Sequence, residues 1–181
     1  MFQIGFWGSL RRKKWCYREK VPLMCCVKVI NNIPVKNLMS NNKVEQIFDE
    51  YRMIAIIVYA DCQVEGIDFF TPHNFSQQLA SMRRPKGYRI RAHVHKPVPR
   101  NVKYTQETLF IRKGKVRINF FDEQKKYLES RILSTGDVIL LVSGGHDFEM
   151  LEDTEIIEVK QGPYAGEDDK ECFEGVIDDT R

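Results

Sequence analysis

From Arg52 onward the chain is cut into short runs that fit strands and little else. Met53-Ile54-Ala55-Ile56-Ile57-Val58 is apolar throughout, the pattern of a strand buried on both faces, and Val64 to Phe70 reads as its neighbour, ending at Thr71-Pro72. Phe75 to Met82 fits either a short helix or another strand. Strand-like runs follow at Tyr88 to His95, Tyr104 to Arg112, Lys115 to Phe121, Tyr127 to Leu133, Asp137 to Val142, His146 to Leu151 and Glu155 to Gln161. Gly, Asp, Asn and Pro separate them, residues that turn the chain and interrupt helices. This spacing predicts an all-β fold, an antiparallel barrel or sandwich over residues 52 to 162.

Four side chains in this region have the chemistry of metal ligands. His93 and His95 lie two apart in an expected strand, where alternate side chains share a face, so both imidazoles aim the same way. Glu107 adds an anionic oxygen and His146 a third nitrogen. Three imidazoles and one carboxylate suit iron, manganese, nickel, copper or zinc, without choosing among them.

The arrangement of these residues resembles the cupin superfamily. Gly87, His93, His95, Glu107 and Gly114 follow the order of that family's first motif, although eleven residues separate His95 from Glu107 where the family usually has three or four. Loop closure entropy grows only logarithmically, so the longer connection costs little. The second motif is matched more loosely: Gly136 and Gly144 fit, Val142 stands in place of a proline, His146 comes one residue early and no asparagine follows. The resemblance implies a single antiparallel double-stranded β-helix, or jelly-roll barrel, over residues 39–166, with a basic N-terminal extension (1–38) and a short acidic tail (167–181). It also implies one divalent transition metal ion held by His93, His95, Glu107 and His146, and a homodimer. The alternative is a barrel of the same kind without metal.

If His93 and His95 point inward, alternation brings Arg91, and with it Arg89, to the same face. A guanidinium beside a metal can hold a carboxylate or phosphate bidentately, so Arg91 is a candidate substrate-binding residue. The other possibility is that both arginines sit at the strand's solvated entry. On the following strand Glu107 shares parity with Leu109 and Ile111, and Gln106 faces away. On the last strand Glu158 and Lys160 alternate with Ile157 and Val159, which places the charged pair on the outer face. His73, in Thr71-Pro72-His73-Asn74, reads as a turn residue.

The net charge of +3 hides an asymmetry. Residues 1–38 hold eight Lys/Arg against Glu19 alone, leaving 20 basic and 24 acidic residues in the remainder. The barrel region is mildly acidic, which argues against a nucleic-acid partner. Five cysteines, Cys16, Cys25, Cys26, Cys62 and Cys172, are odd in number and form no C-x-x-C, as expected of a reducing, cytoplasmic setting. Lys28 interrupts the best early apolar run, Val21 to Ile30, so no membrane span is expected.

Two function classes fit. One is a mononuclear metal-dependent enzyme acting on a small oxygen-rich or anionic molecule, by isomerase or epimerase chemistry or by dioxygenation. Residues Glu155 to Gly166 resemble the end of small bacterial cupins of carbohydrate metabolism, which leans towards the former. The other is a non-catalytic small-molecule-binding or sensor module. Among further polar side chains only Tyr104, Tyr127 and Glu149 offer themselves as proton shuttles.

Overall fold

The computed structural model describes residues 43–177, so the expected basic extension at 1–38 and the end of the acidic tail lie outside the described residues. Every sheet is antiparallel. The strands are β1 (Val44–Phe48), β2 (Met53–Val58), β3 (Gly66–Phe69), β4 (Ala80–Arg83), β5 (Glu107–Lys113), β6 (Lys115–Phe121), β7 (Tyr127–Ser134), β8 (Val138–Leu141), β9 (Gly145–Met150) and β10 (Glu155–Lys160). One 3-10 turn, Gly166–Asp169, follows them, and no α-helix occurs among the described residues.

A five-stranded sheet runs β1-β2-β8-β5-β10, a three-stranded sheet runs β7-β6-β9, and β3 pairs with β4 alone. The two larger sheets share one core. Ala55, Ile57, Leu109, Ile111, Ile139 and Leu141 from the first meet Val116, Ile118, Phe120 and Leu133 from the second, all buried. Side chains of this size contribute about 1.5–3 kcal/mol each when removed from water. Ile56, Leu140 and Val142 point to the other face of the five-stranded sheet, where Phe70, Phe75 and Leu79 cover them. Both faces of β2 and β8 are therefore dry, which is why these segments are continuous apolar runs rather than alternating ones.

The sandwich is closed along one side by a polar cluster. Arg131, on β7, donates from Nε and Nη2 to Glu45 Oε1 on β1 at 2.9 and 2.7 Å, and the Tyr59 hydroxyl donates to Glu45 Oε2 at 2.6 Å. Glu129 pairs with the same guanidinium at 2.7 Å. Partial burial alone would raise the Glu45 pKa, but the hydrogen bonds from Arg131 and Tyr59 outweigh it and hold the carboxyl below its ordinary value. The opposite side, between the edge strands β9 and β10, carries the cleft described below.

The expected strands at 53–58 and 115–121 appear with those bounds, and β7 to β10 lie within two residues of expectation. Two expectations are corrected. Tyr88 to His95 is not a strand: from Arg84 to Gln106 the chain has no regular structure, and every residue from Met82 to Thr105 is exposed. Alternation provides the faces of a strand but not the neighbour its amides and carbonyls need, and among the described residues no ladder partner is present. Phe75 to Met82 divides into a loop and the start of β4. Among the described residues the sheets do not close into a barrel.

Candidate functional site

Strand register assembles the site. Glu107 opens β5 on the same face as the buried Leu109 and Ile111, at the point where the core gives way to solvent. In β10 its register partner is Lys160, and in β9 His146 stands opposite Phe120, on the core side of the second sheet. Three strands thus deliver a carboxylate, an ammonium and an imidazole to one place. His146 Nε2 lies 3.3 Å from Glu107 Oε2, and Lys160 Nζ lies 3.8 Å from Glu107 Oε1 and 3.5 Å from Asp169 Oδ2.

These groups line a cleft of about 630 Å³. Phe121, Leu141, Gly144 and Gly145 form apolar and backbone wall, and the tail from Asp169 to Gly175 forms the other. Phe173 anchors that tail, edge-on against Phe121 with ring centroids 5.2 Å apart, and Lys125 pairs with Glu171 at 2.6 Å. The lining is acidic: Glu107, Asp147, Glu158, Asp169 and Glu171 face Lys160 and Lys170.

The charges settle one another. The His146 imidazole holds the Glu107 carboxyl below its ordinary pKa against the opposing pull of partial burial, and Lys160 and Lys170 add to the effect. Desolvation would lower the Lys160 pKa, but Asp169, Glu107 and Glu158 overcome it and raise it. At neutral pH the cleft therefore presents an ionised Glu107 carboxylate beside the Lys160 ammonium, with the His146 ring against it.

The four expected ligands do not come together. Glu107 and His146 touch, whereas His93 and His95 sit in the exposed stretch before β5, their rings 5.2 Å apart and T-shaped, with His93 Nδ1 3.0 Å from the Arg91 carbonyl. No group of three His, Cys, Asp or Glu suited to a metal occurs among the described residues, so the residues as placed do not fit the expected ion. Arg91 is exposed and does not line the cleft. Tyr104 is exposed, the Tyr127 hydroxyl bonds Ser130, and Glu149 pairs with Arg117, so none of the three expected shuttles reaches the dyad. His73 lies in a turn, as expected.

The motif glycines have structural work of their own. Gly136 has φ +95°, and a Cβ there would meet Ala60 at 2.9 Å. It precedes Asp137, whose buried carboxylate accepts from Ala60 N at 2.8 Å and Ser134 N at 2.7 Å. Gly144, at φ +72°, brings the chain against the Phe121 carbonyl, leaving no room for a side chain.

Lys160 and Glu158 are the residues that sequence reasoning misplaced. Ile157 and Val159, at 49% and 52% exposure, form the outer face of β10, and the charged pair faces the cleft. Asp169 and Phe173, in the tail, carried no sequence signal beyond acidity. Comparison of the chain with protein-family models, with curated proteins and with solved structures finds no match.

Proposed function

We propose that this is a cupin-type protein that binds a small oxygen-rich molecule in the cleft and acts on it by proton transfer, the chemistry of an isomerase or epimerase. The observation that carries this is the 3.3 Å contact between His146 Nε2 and Glu107 Oε2 at the cleft wall. A carboxylate that accepts the Nε2 proton fixes the tautomer and leaves Nδ1 as the base. That nitrogen takes a proton from the carbon next to a carbonyl and returns it to the neighbouring carbon or to the opposite face. The Lys160 ammonium, beside Glu107, is the donor for the oxyanion that forms between the two steps.

Solvent exchange tests the proposal. Simple keto sugars and their phosphates are incubated with the protein in D₂O, and loss of the α-proton signal is followed by NMR. Wild type should exchange at least one of them, with His146→Gln and Glu107→Gln slower by two to four orders of magnitude, roughly the usual worth of a general base. Equal rates in wild type and His146→Gln would sink it.

A metal-dependent reading, with iron, manganese, nickel, copper or zinc on His93, His95, Glu107 and His146, draws on one observation: the four side chains stand as two pairs, His93 with His95 and Glu107 with His146. Elemental analysis of protein purified without added metal tests it, and a His93→Ala/His95→Ala double variant with undiminished metal would refute that ligand set. A non-catalytic binding or sensor role uses the same cleft and predicts ligand binding without exchange. Homodimer formation is part of the proposal, supported by the exposed apolar strip of Phe110, Ile157 and Val159 on the outer face of β5 and β10. No helix among the described residues is long and apolar enough to cross a membrane.

A further inference from the structure

Charge is divided sharply along the described residues. From Arg83 to Tyr104 there are eight Lys/Arg and no Asp or Glu, whereas the rest of residues 43–177 holds 11 Lys/Arg against 22 Asp/Glu. Eight of those eleven cations have a carboxylate within ion-pair distance, and among the described residues none of the eight in the basic segment does. Arg83 and Arg100 donate instead to neutral oxygens, Gln63 Oε1 at 3.2 Å and the Val98 carbonyl at 3.4 Å. Like charges so placed repel one another, and an external polyanion would offset that repulsion.

Apolar side chains are interleaved with the cations. Ile90, Val94, Val98 and Val102 are exposed, Val94 to 87%, as are Tyr88 and Tyr104. The β3–β4 hairpin at the root of the segment continues the pattern: Ile67 and Met82 are register partners, Phe69 shares their face, and all three are exposed. Aliphatic groups among cations fit the boundary between lipid headgroups and acyl chains, where the charges meet phosphates and the apolar side chains sink below them. A nucleic acid matches only the cations. Its bases stack on aromatic rings, and both tyrosines already hold a cation over the ring, Arg84 at 4.9 Å and Lys103 at 5.5 Å, while the four aliphatics would gain no partner.

We propose that residues 83–104, together with the exposed apolar face of the β3–β4 hairpin, bind an anionic phospholipid surface. The acidic sandwich is itself repelled by such a surface. A 22-residue segment anchored at both ends reaches out about 35 Å, several times the roughly 8 Å over which charges act at physiological salt, so the arm engages while the sandwich stays clear. Pro85, Pro97 and Pro99 keep the arm from closing into a helix. None of these residues lines the cleft, so the binding stands apart from any proton transfer there.

Sedimentation of the full chain with lipid vesicles tests the proposal. The protein should bind vesicles of equal parts phosphatidylcholine and phosphatidylserine and leave pure phosphatidylcholine vesicles alone. Arg89→Ala/Arg91→Ala should weaken the partitioning about thirtyfold, roughly fivefold for each cation. Ile90→Ser/Val94→Ser should weaken it about fivefold or more. All four side chains are exposed, so the urea midpoints of both variants should match wild type, which separates a lost contact from a lost fold. Absence of binding to the anionic vesicles would overturn the proposal. Undiminished binding in the arginine variant would do the same, by assigning it to the basic residues of 1–38. Undiminished binding in Ile90→Ser/Val94→Ser would overturn the lipid assignment, and a deoxythymidine oligomer bound with the same dependence on the arginines would then make a nucleic acid the partner.

Discussion

Lys160 and Glu107 are register partners in the β5–β10 ladder, and their charged ends meet 3.8 Å apart on the core side of the sheet. The pair sits where the core opens, so it is wet enough to avoid the cost of a buried ion pair and close enough to shape the pKa of each partner.

Removing the ammonium should therefore move the carboxylate. In Lys160→Met the Glu107 carboxyl pKa, read by NMR titration of the side-chain carbon, should rise from its depressed value, since one of the charges that stabilise the anion is gone. In His146→Gln it should rise further, because the imidazole is the largest single influence. The urea midpoint should barely move in Lys160→Met, as for other exposed pairs. A Glu107 titration indifferent to both changes would mean that the three groups do not meet in solution.

The Glu45–Arg131–Tyr59 cluster sets an acid limit on the fold. The folded-state pKa of Glu45 is depressed below its ordinary 4.5, so its contribution is fully present above that value and is lost as pH falls through the lower, folded one. Chemical denaturation of wild type should show stability declining below pH 4.5, with a shallower decline in Glu45→Gln. At neutral pH, Arg131→Met should cost about 1–2 kcal/mol, less than breaking a fully buried pair because both side chains remain partly solvated. The variants should unfold with parallel pH profiles if the cluster contributes nothing.

Asp137 acts through the backbone. Its two oxygens satisfy the amides of Ala60 and Ser134, and it is buried, so Asp137→Ala leaves two donors without partners. The expected cost is about 2–4 kcal/mol, with Asp137→Asn roughly half as harmful because one acceptor survives. Urea midpoints for the three proteins give the comparison. A neutral alanine variant would show that the turn does not depend on the carboxylate.

The sequence made the buried strands plain and hid the open ones. β2 and β8 are continuous apolar runs because both their faces are dry, and Glu107 shares parity with Leu109 and Ile111, so its inward direction was legible. Parity alone misled at β10: hydrophobicity puts Ile157 and Val159 inside, whereas the register with β5 sets Glu158 opposite Leu109 and Lys160 opposite Glu107. A one-residue choice of face exchanges every side chain, and only the partner strand decides it. β1 went unnoticed because Glu45 and Gln46 break its apolar pattern, although Glu45 is the residue that ties it to β7. Gln106 was expected to face away from the core and does. It is nonetheless buried, because Ser76 and Gln77, distant in sequence, donate to its side chain. His93 and His95 have the right spacing for a shared face, but spacing cannot supply the neighbouring strand that would present it.

The tail closes the cleft through one aromatic contact and a few exposed ion pairs, Lys125–Glu171 and Lys160–Asp169 among them, and the ring is its one apolar anchor on Phe121. Phe173 packs edge-on against Phe121 and approaches Gly145, while Phe121 itself is fully buried. Such a pair contributes about 0.5–1.5 kcal/mol beyond the area it buries, so Phe173→Ala should free residues 171–177 while leaving the sandwich intact. Trypsin cleavage after Lys170 should then accelerate by roughly tenfold or more, the rate change that about 1.4 kcal/mol of lost local stability gives when opening is fast relative to cleavage. The urea midpoint should move little. If cleavage is unchanged, the tail is held by Lys125–Glu171 and the backbone rather than by the ring, and a Glu171→Gln variant should be the one that opens it.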